Sequence, residues 1–210
     1  MEVANLEDGE TMAFGPVPSR CLGKSLGINN IPPKTCSYSC VYCQLGKTTN
    51  MTTERQIFYR SEDILKEVRK KVDATATRKE KVDYLTFVPD GESTLDLNLG
   101  KEISILKQIG IPIAVLTNAS LIWRDDMKED LMKANLVSLK VDAITEDLWI
   151  RINRPHENLR LNEILEGIKE FANEFNAKVI SETMFVDAAV FTVPFALGIR
   201  INSFYAVVAV

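Results

Sequence analysis

Five short runs of aliphatic, β-branched and aromatic residues alternate with amphipathic stretches along this chain, and that alternation restricts the fold more than any other feature. The runs are Lys24 to Ile31, Val82 to Val88, Ile113 to Leu116, Leu136 to Val141 and Lys178 to Val186. Helical patterns occupy Ser61 to Asp73, Leu99 to Gln108, Arg124 to Ala134, Thr145 to Asn153 and Leu161 to Glu174. The last is the clearest, with Ile164, Leu165, Ile168, Phe171 and Phe175 on one face. Ser61 stands at the expected N-cap of the first helix, with Glu62 and Asp63 in its first turn. Thr145 is the expected cap of the fourth, and Gly110 closes the second. Such repeats build parallel βαβ units with right-handed crossovers. The expected architecture is an α/β fold: an open or partial (β/α) barrel of parallel strands, in one domain spanning 1–210 with its core at 19–186. The opening up to Pro18 reads as irregular.

After the fifth strand the pattern fades. Ala188 to Ile199 is nearly all apolar and Ala206 to Val210 ends on a strand-like run, with no amphipathic helix to cover either. Two expectations follow. In one, the barrel is truncated after the fifth strand and the tail partly substitutes for the next. In the other, a second chain completes it, giving an oligomer through the apolar tail.

In folds of this class ligands gather beyond the carboxyl ends of the strands. Four polar turns fall there: the loop after Ile31, Asp90-Gly91-Glu92, Thr117-Asn118 and Asp142. Lys140 shares a strand face with Asp142 and is placed to pair with its carboxylate. Glu182 interrupts an apolar strand, so its carboxylate is expected to face the central cavity rather than the core. Trp123 and Trp149 read as packing residues, and His156, the single histidine, as a loop hydrogen-bonder.

The first of those loops carries the chemistry. Cys36, Cys40 and Cys43 fall within eight residues in a CxxxCxxC pattern, so three thiols on one short segment can reach different corners of an iron–sulfur cube. Three ligands leave one iron open, as a catalytic centre requires. The competing reading is zinc, with Cys21 or His156 as fourth ligand, although this spacing is not a usual zinc knuckle. Cys21 otherwise reads as a small core residue.

Four cysteines used this way suit a reducing compartment. The acidic N-terminal segment lacks the pattern of a secretory signal, and no run reaches the roughly 18 apolar residues of a membrane span. The cytoplasm is the expected location, with no membrane attachment. The chain has 25 basic and 29 acidic residues, a net charge of −4, so it carries no general basic field for nucleic acid, though a local basic rim is compatible with it.

The motifs together resemble one family. The run SRCLGKSLGINNIPPKTCSYSCVYCQLGK from Ser19 to Lys47, DGESTL from Asp90 to Leu95, VLTNASL from Val115 to Leu121 and INRPH from Ile152 to His156 resemble the radical S-adenosylmethionine superfamily. Within it they look most like the Fe–S oxidoreductases grouped with wyosine base formation. The resemblance extends over about residues 14 to 186.

It implies that Cys36, Cys40 and Cys43 hold a 4Fe-4S cluster. The amino and carboxylate groups of S-adenosylmethionine then chelate the fourth iron, and one electron cleaves the sulfonium to methionine and a 5′-deoxyadenosyl radical. Tyr42 occupies the family's aromatic position beside the adenine. Asp90-Gly91-Glu92 matches its Gly-Gly-Glu type turn, which accepts hydrogen bonds from the methionine ammonium, with Ser93 standing where the family usually has proline. Asn118 and Asp142 are placed to meet ribose hydroxyls or the surroundings of the methionine carboxylate. A flavodoxin or ferredoxin is the implied electron donor. The substrate stays open among a small molecule, a protein glycyl position and a modified tRNA nucleoside. A non-catalytic Fe–S or zinc-binding module is the alternative to an enzyme.

Overall fold

The structure, a computed structural model, describes residues 11–185 and 203–208, with side chains over 11–184. The chain enters through β1 (Ala13–Ser19), which turns back antiparallel onto β2 (Gly23–Ile28). The reading of an irregular opening is therefore corrected from Ala13 onward; residues 1–10 lie outside the described residues. Pro16 and Pro18 cannot donate to a ladder and disguise the strand, yet an edge strand with a register shift between Phe14 and Val17 tolerates both. β2 ends at Ile28 rather than Ile31, because the chain bends there towards the cysteine loop.

Two residues form β3 (Thr35–Cys36), which pairs with the equally short β4 (Asn50–Met51) and closes that loop at its base. Helix α1 (Ser61–Thr77) follows. Its N-cap is Arg60, whose extended backbone opens the helix without a side-chain cap. Ser61 lies one position inside, its hydroxyl buried without a partner, so the expected serine cap is not made.

Next come β5 (Tyr84–Phe87), α2 (Leu99–Leu106) and β6 (Ile113–Thr117). A single 3-10 turn extends α2 to Ile109, and Gly110, at φ 79°, closes it as expected. Then α3 (Asp125–Leu131), β7 (Leu136–Lys140), α4 (Glu146–Asn153), α5 (Leu161–Glu174) and β8 (Lys178–Phe185) complete the repeat. Thr145 occupies the N-cap of α4 but makes no side-chain cap bond.

One more strand follows. β9 (Ser203–Val208) pairs parallel with β8 from Ile180↔Ser203 to Phe185↔Val208. The seven strands run β1-β2-β5-β6-β7-β8-β9, all neighbours parallel except β1 with β2. The parallel run thus continues beyond the expected fifth strand. The apolar segment Ala188 to Ile199 lies outside the described residues.

The alternation of side chains along each strand divides the interior. Leu85, Phe87, Ile113, Val115, Val137, Leu139 and Val179 point to the helices and form the main core with Ile64, Val68, Ile103, Ile164, Ile168 and Phe171. Burying each such side chain stabilises the fold by about 1.5–3 kcal/mol. On the opposite face Leu22, Ala114, Leu136 and Ile180 form a small plug towards the amino ends of the strands, with Cys21 packed against it. Further along the same face the residues turn polar, to Ser138, Lys140 and Glu182. The sequence therefore seals one end of the sheet with hydrocarbon and leaves the carboxyl end to polar groups.

Trp149 is buried, as expected, and meets Tyr38 edge-on. Trp123 is not a packing residue: its ring is 40% exposed. The backbone of Trp123 presses on α5 at Gly167, where an added Cβ would lie 2.8 Å from the Trp123 nitrogen, so the chain packs through its main chain and the ring turns to solvent.

Candidate functional site

Three segments from distant parts of the chain shape the cysteine loop. Beneath it, the β5 turn meets the start of the loop: Lys34 donates its backbone N–H to the Asp90 carbonyl at 2.6 Å, and Glu92 donates to the Thr35 carbonyl at 3.0 Å. Gly91 is required for this contact, because a Cβ there would collide with the Thr35 carbonyl oxygen and touch Ile31. Gly91 thus lets two backbones touch.

Above the loop, the turn after α4 acts as a clasp. Ser39 N–H reaches the Asn153 carbonyl at 3.0 Å, Val41 N–H the Ile152 carbonyl at 2.9 Å, and His156 N–H the Ser37 carbonyl at 2.9 Å. Tyr38 and Pro155 form an antiparallel bridge. Arg154, in the left-handed region at φ 46°, ends α4 and turns the chain into this clasp. Trp149 donates its indole N–H to the Tyr38 hydroxyl at 3.1 Å.

The third segment is the end of β6. The Asn118 amide donates to Ser37 Oγ at 3.0 Å and to Cys36 Sγ at 3.5 Å, while its oxygen accepts from the Ser120 N–H. Ser37 and Ser120 share a 2.6 Å hydroxyl contact beside it. Asn118 is therefore turned towards the cysteine loop.

Glu92 is almost fully buried and heavily engaged. Its Oε1 accepts from the Thr94 N–H, the Thr94 hydroxyl and the Thr117 hydroxyl, and its Oε2 from the Asn118 N–H at 2.7 Å. It thereby joins the ends of β5 and β6. Burial pushes its carboxyl above the ordinary value, while the hydrogen bonds from Thr117 and Thr94 pull it back. Ser93, standing in place of the family's proline, is buried in a 3-10 turn held by this Thr94 contact and by Asn30, whose amide reaches the Ser93 carbonyl at 3.1 Å.

Asp142 is the corresponding junction at β7. It accepts from the Tyr42 hydroxyl, from Asn153 Nδ2 at 2.7 Å and from the Met184 N–H at 2.8 Å, with Lys140 Nζ at 3.8 Å. The expected pairing of Lys140 with Asp142 is present. The same ammonium lies 4.9 Å from the centre of the Tyr42 ring. Tyr42 is pinned by both neighbours, and burial and the adjacent carboxylate push its hydroxyl far above the usual value. Asp142 spends its lone pairs on protein groups, and so its direct partners here are side chains of this chain.

Two adjoining cavities of about 490 and 230 Å³ open over the loop, together in the size range of ligand pockets. Both are lined by Cys36, Cys40, Cys43, Tyr42, Gly91 and Lys140. The smaller extends to Glu92, Asn118, Ser138 and Glu182, so Glu182 faces the cavity as its sequence setting implied. All nine candidate site residues except Asp142 line one or the other, and Asp142 lies directly behind Tyr42. Burial first, and then the Glu92 carboxylate, push the Cys36 thiol up to about 12; burial also raises Cys40. Such thiols keep their protons until a metal displaces them.

Among the described residues no three His, Cys, Asp or Glu side chains converge closely enough to grip a single metal ion. Cys21 sits at the opposite edge of the sheet, and His156 uses Nδ1 to accept the Asn158 N–H, so neither joins the triplet. Sequence reasoning missed Asn153. Its signal was a polar residue four positions after Trp149, on the face of α4 that is otherwise buried.

A mostly parallel sheet with three thiols and two adjoining cavities at its carboxyl edge defines a partial (β/α) barrel. The chain belongs to the Radical SAM superfamily, whose family model matches residues 30–187. A UPF0026 protein of Methanocaldococcus jannaschii, MJ1312, is 54% identical over 182 residues, covering 87% of this chain and 56% of the relative. The chain thus spans little more than half the length of that relative. Among solved structures, Streptococcus suis SuiB bound to S-adenosylmethionine superposes with a TM-score of 0.60 at 17% identity, over 85% of this chain and 38% of that one. TYW1 with a lysine-pyruvate adduct bound superposes at 0.53 and 16% identity, over 78% and 56%. At these identities the two structures establish the fold alone, that of the partial barrel. No helix among the described residues is long and apolar enough to cross a membrane.

Proposed function

We propose that this chain binds a 4Fe-4S cluster through Cys36, Cys40 and Cys43, takes S-adenosylmethionine at the iron those ligands leave free, and abstracts hydrogen from a substrate. The reading is carried by three thiols of one loop that line a cavity shared with Tyr42, Glu92, Asn118 and Lys140. The donor set fits the group: all three are soft sulfur ligands. When bound, the cluster and S-adenosylmethionine supply one-electron cleavage of the sulfonium and a 5′-deoxyadenosyl radical.

The chain's residues supply binding, orientation and dryness. Glu92 Oε2 accepts only the Asn118 N–H and retains acceptor capacity for a methionine ammonium, helped by the backbone at Pro89 and Gly91. Tyr42, held by Asp142 and Lys140, is a rigid wall for the adenine. Asp142 acts by fixing Tyr42 and Asn153. Phe14, Val88 and Met184 line the larger cavity with apolar surface that would limit water around a bound S-adenosylmethionine. Ser138, Lys140 and Glu182 form the wall where a substrate's polar groups would meet the protein.

An electron donor of the flavodoxin or ferredoxin type completes the reaction, which is that of an oxidoreductase working in the reducing cytoplasm. Anaerobic reconstitution with iron, sulfide, dithionite and S-adenosylmethionine tests the reading. The expected result is 5′-deoxyadenosine released by the native chain; release no greater than from Cys40→Ala refutes it.

A further inference from the structure

Two side-chain amides are aimed at the sulfurs of the cysteine loop, and both are held there by contacts that fix which end of the amide points inward. Asn153 Nδ2 lies 2.7 Å from Asp142 Oδ2 and 3.5 Å from Cys40 Sγ. Only the NH2 end can face a carboxylate, so its remaining N–H is turned to the Cys40 sulfur and the Tyr42 hydroxyl, 3.5 and 3.4 Å away. Asn118 is fixed from the other end: its oxygen accepts the Ser120 N–H, leaving the NH2 group to span Ser37 Oγ and Cys36 Sγ at 3.0 and 3.5 Å. The two donors come from opposite sides of the loop, Asn118 at the end of β6 and Asn153 at the last residue of α4. No such side-chain amide donor to Cys43 is present among the described residues.

We infer that Asn153 and Asn118 are positioning residues that set the reduction potential of the centre bound by the loop, through N–H···S bonds to Cys40 and Cys36. The inference rests on the reading of the triplet as cluster ligands. A hydrogen bond to a ligand sulfur withdraws charge and stabilises the reduced, more negative state more than the oxidised one, so it raises the potential. The acceptance of an electron before the sulfonium is cleaved is thereby eased at two of three ligands. Asp142 acts through Asn153 by holding it in place, in the manner of groups that orient metal ligands from behind.

The test is a redox titration followed by electron paramagnetic resonance on reconstituted native chain, Asn153→Ala, Asn118→Ala and Asn153→Gln, with iron and sulfide counted in each. Either alanine variant is expected to shift the potential to more negative values. At a fixed solution potential the ratio of reduced to oxidised cluster falls roughly three- to tenfold, a fraction of one charge-assisted hydrogen bond. Asn153→Gln, which retains an amide, is expected to recover part of the shift, which a merely structural role would not produce. If Asn153→Ala loads poorly, Asn118→Ala and Asn153→Gln carry the comparison. Loaded variants with the native potential overturn the inference while leaving the cluster reading intact. A native chain that takes up no cluster overturns both.

Discussion

Asn153, at the end of α4, donates its amide to Asp142, just beyond β7, at 2.7 Å, and the carboxylate at the same time accepts the hydroxyl of Tyr42 and the N–H of Met184. One buried carboxylate therefore ties the cysteine loop, β8 and the clasp above the loop to a single point. Asp142→Asn is nearly isosteric but presents an NH2 group to one of these donors, leaving a buried group unpaired. The expected loss is about 1–3 kcal/mol in urea unfolding, with Tyr42→Phe costing less, about 0.5–1.5 kcal/mol. Equal stability of Asp142→Asn and the native chain would refute the junction.

Gly91→Ala tests the contact beneath the loop. A methyl group there meets the Thr35 carbonyl, and backbone on both sides cannot yield cheaply. A loss of about 1–3 kcal/mol or more is expected, together with reduced iron content after reconstitution, because the base of the cysteine loop must shift. Normal iron content with native stability would show that the loop tolerates displacement.

Metal content separates the triplet from the remaining sulfur and imidazole. Cys36→Ala, Cys40→Ala and Cys43→Ala are each expected to lose most bound iron. Cys21→Ala and His156→Ala are expected to retain it, since Cys21 packs at the amino edge of the sheet and His156 is engaged with Asn158. Loss of metal in Cys21→Ala or His156→Ala, with zinc bound by the native chain, would instead support a four-ligand zinc site.

A second pair of buried carboxyls lies apart from the site and governs stability against pH. Asp96 and Glu102 are fully buried, and their carboxyl groups meet each other beside the Asn30 amide. Burial pushes Asp96 up to about 7 and raises Glu102 well above the usual carboxyl range. The folded chain thus keeps protons that the unfolded chain releases. The pair's contribution to stability is full below about pH 4 and is lost as pH rises through about 7. Glu102→Gln removes one of the two titrations, so its urea midpoint is expected to fall less between pH 5 and 8, and at pH 8 to lie above the native midpoint. An identical pH profile in both proteins would refute the pair.

Much of the fold was legible because parallel strands and their covering helices obey short periods, as the apolar face of α5 and the β-branched run of β7 illustrate. β1 was not, because two prolines hide an edge strand whose pairing depends on a partner rather than on its own residues. The caps failed for a related reason: whether Ser61 or Arg60 begins α1 is decided by the chain's approach angle, not by residue type. Within the site, the cysteines, Tyr42, Glu92, Asn118 and Lys140 were identifiable from motif and strand position. Their partners were harder to anticipate. Glu92 and Asp142 looked like ligand-facing carboxylates, and only the tertiary contacts reveal how far each is occupied by the protein itself. Asn153 stands on the buried face of α4, but the sulfur it touches lies 113 residues away, which no local pattern specifies.

That separation has a consequence for the order in which the protein is made. The sulfurs of Cys36 and Cys40 leave the ribosome long before Asn118 and Asn153, which follow them by 82 and 113 residues. Until the clasp from Ile152 to His156 has been synthesised and docked, the loop is a flexible thiol-bearing segment with neither amide in place. On the proposed reading, iron and sulfide would then be delivered after folding, to a finished apoprotein, and a synthetic peptide of the loop alone would be a poor mimic of the site from which it was copied.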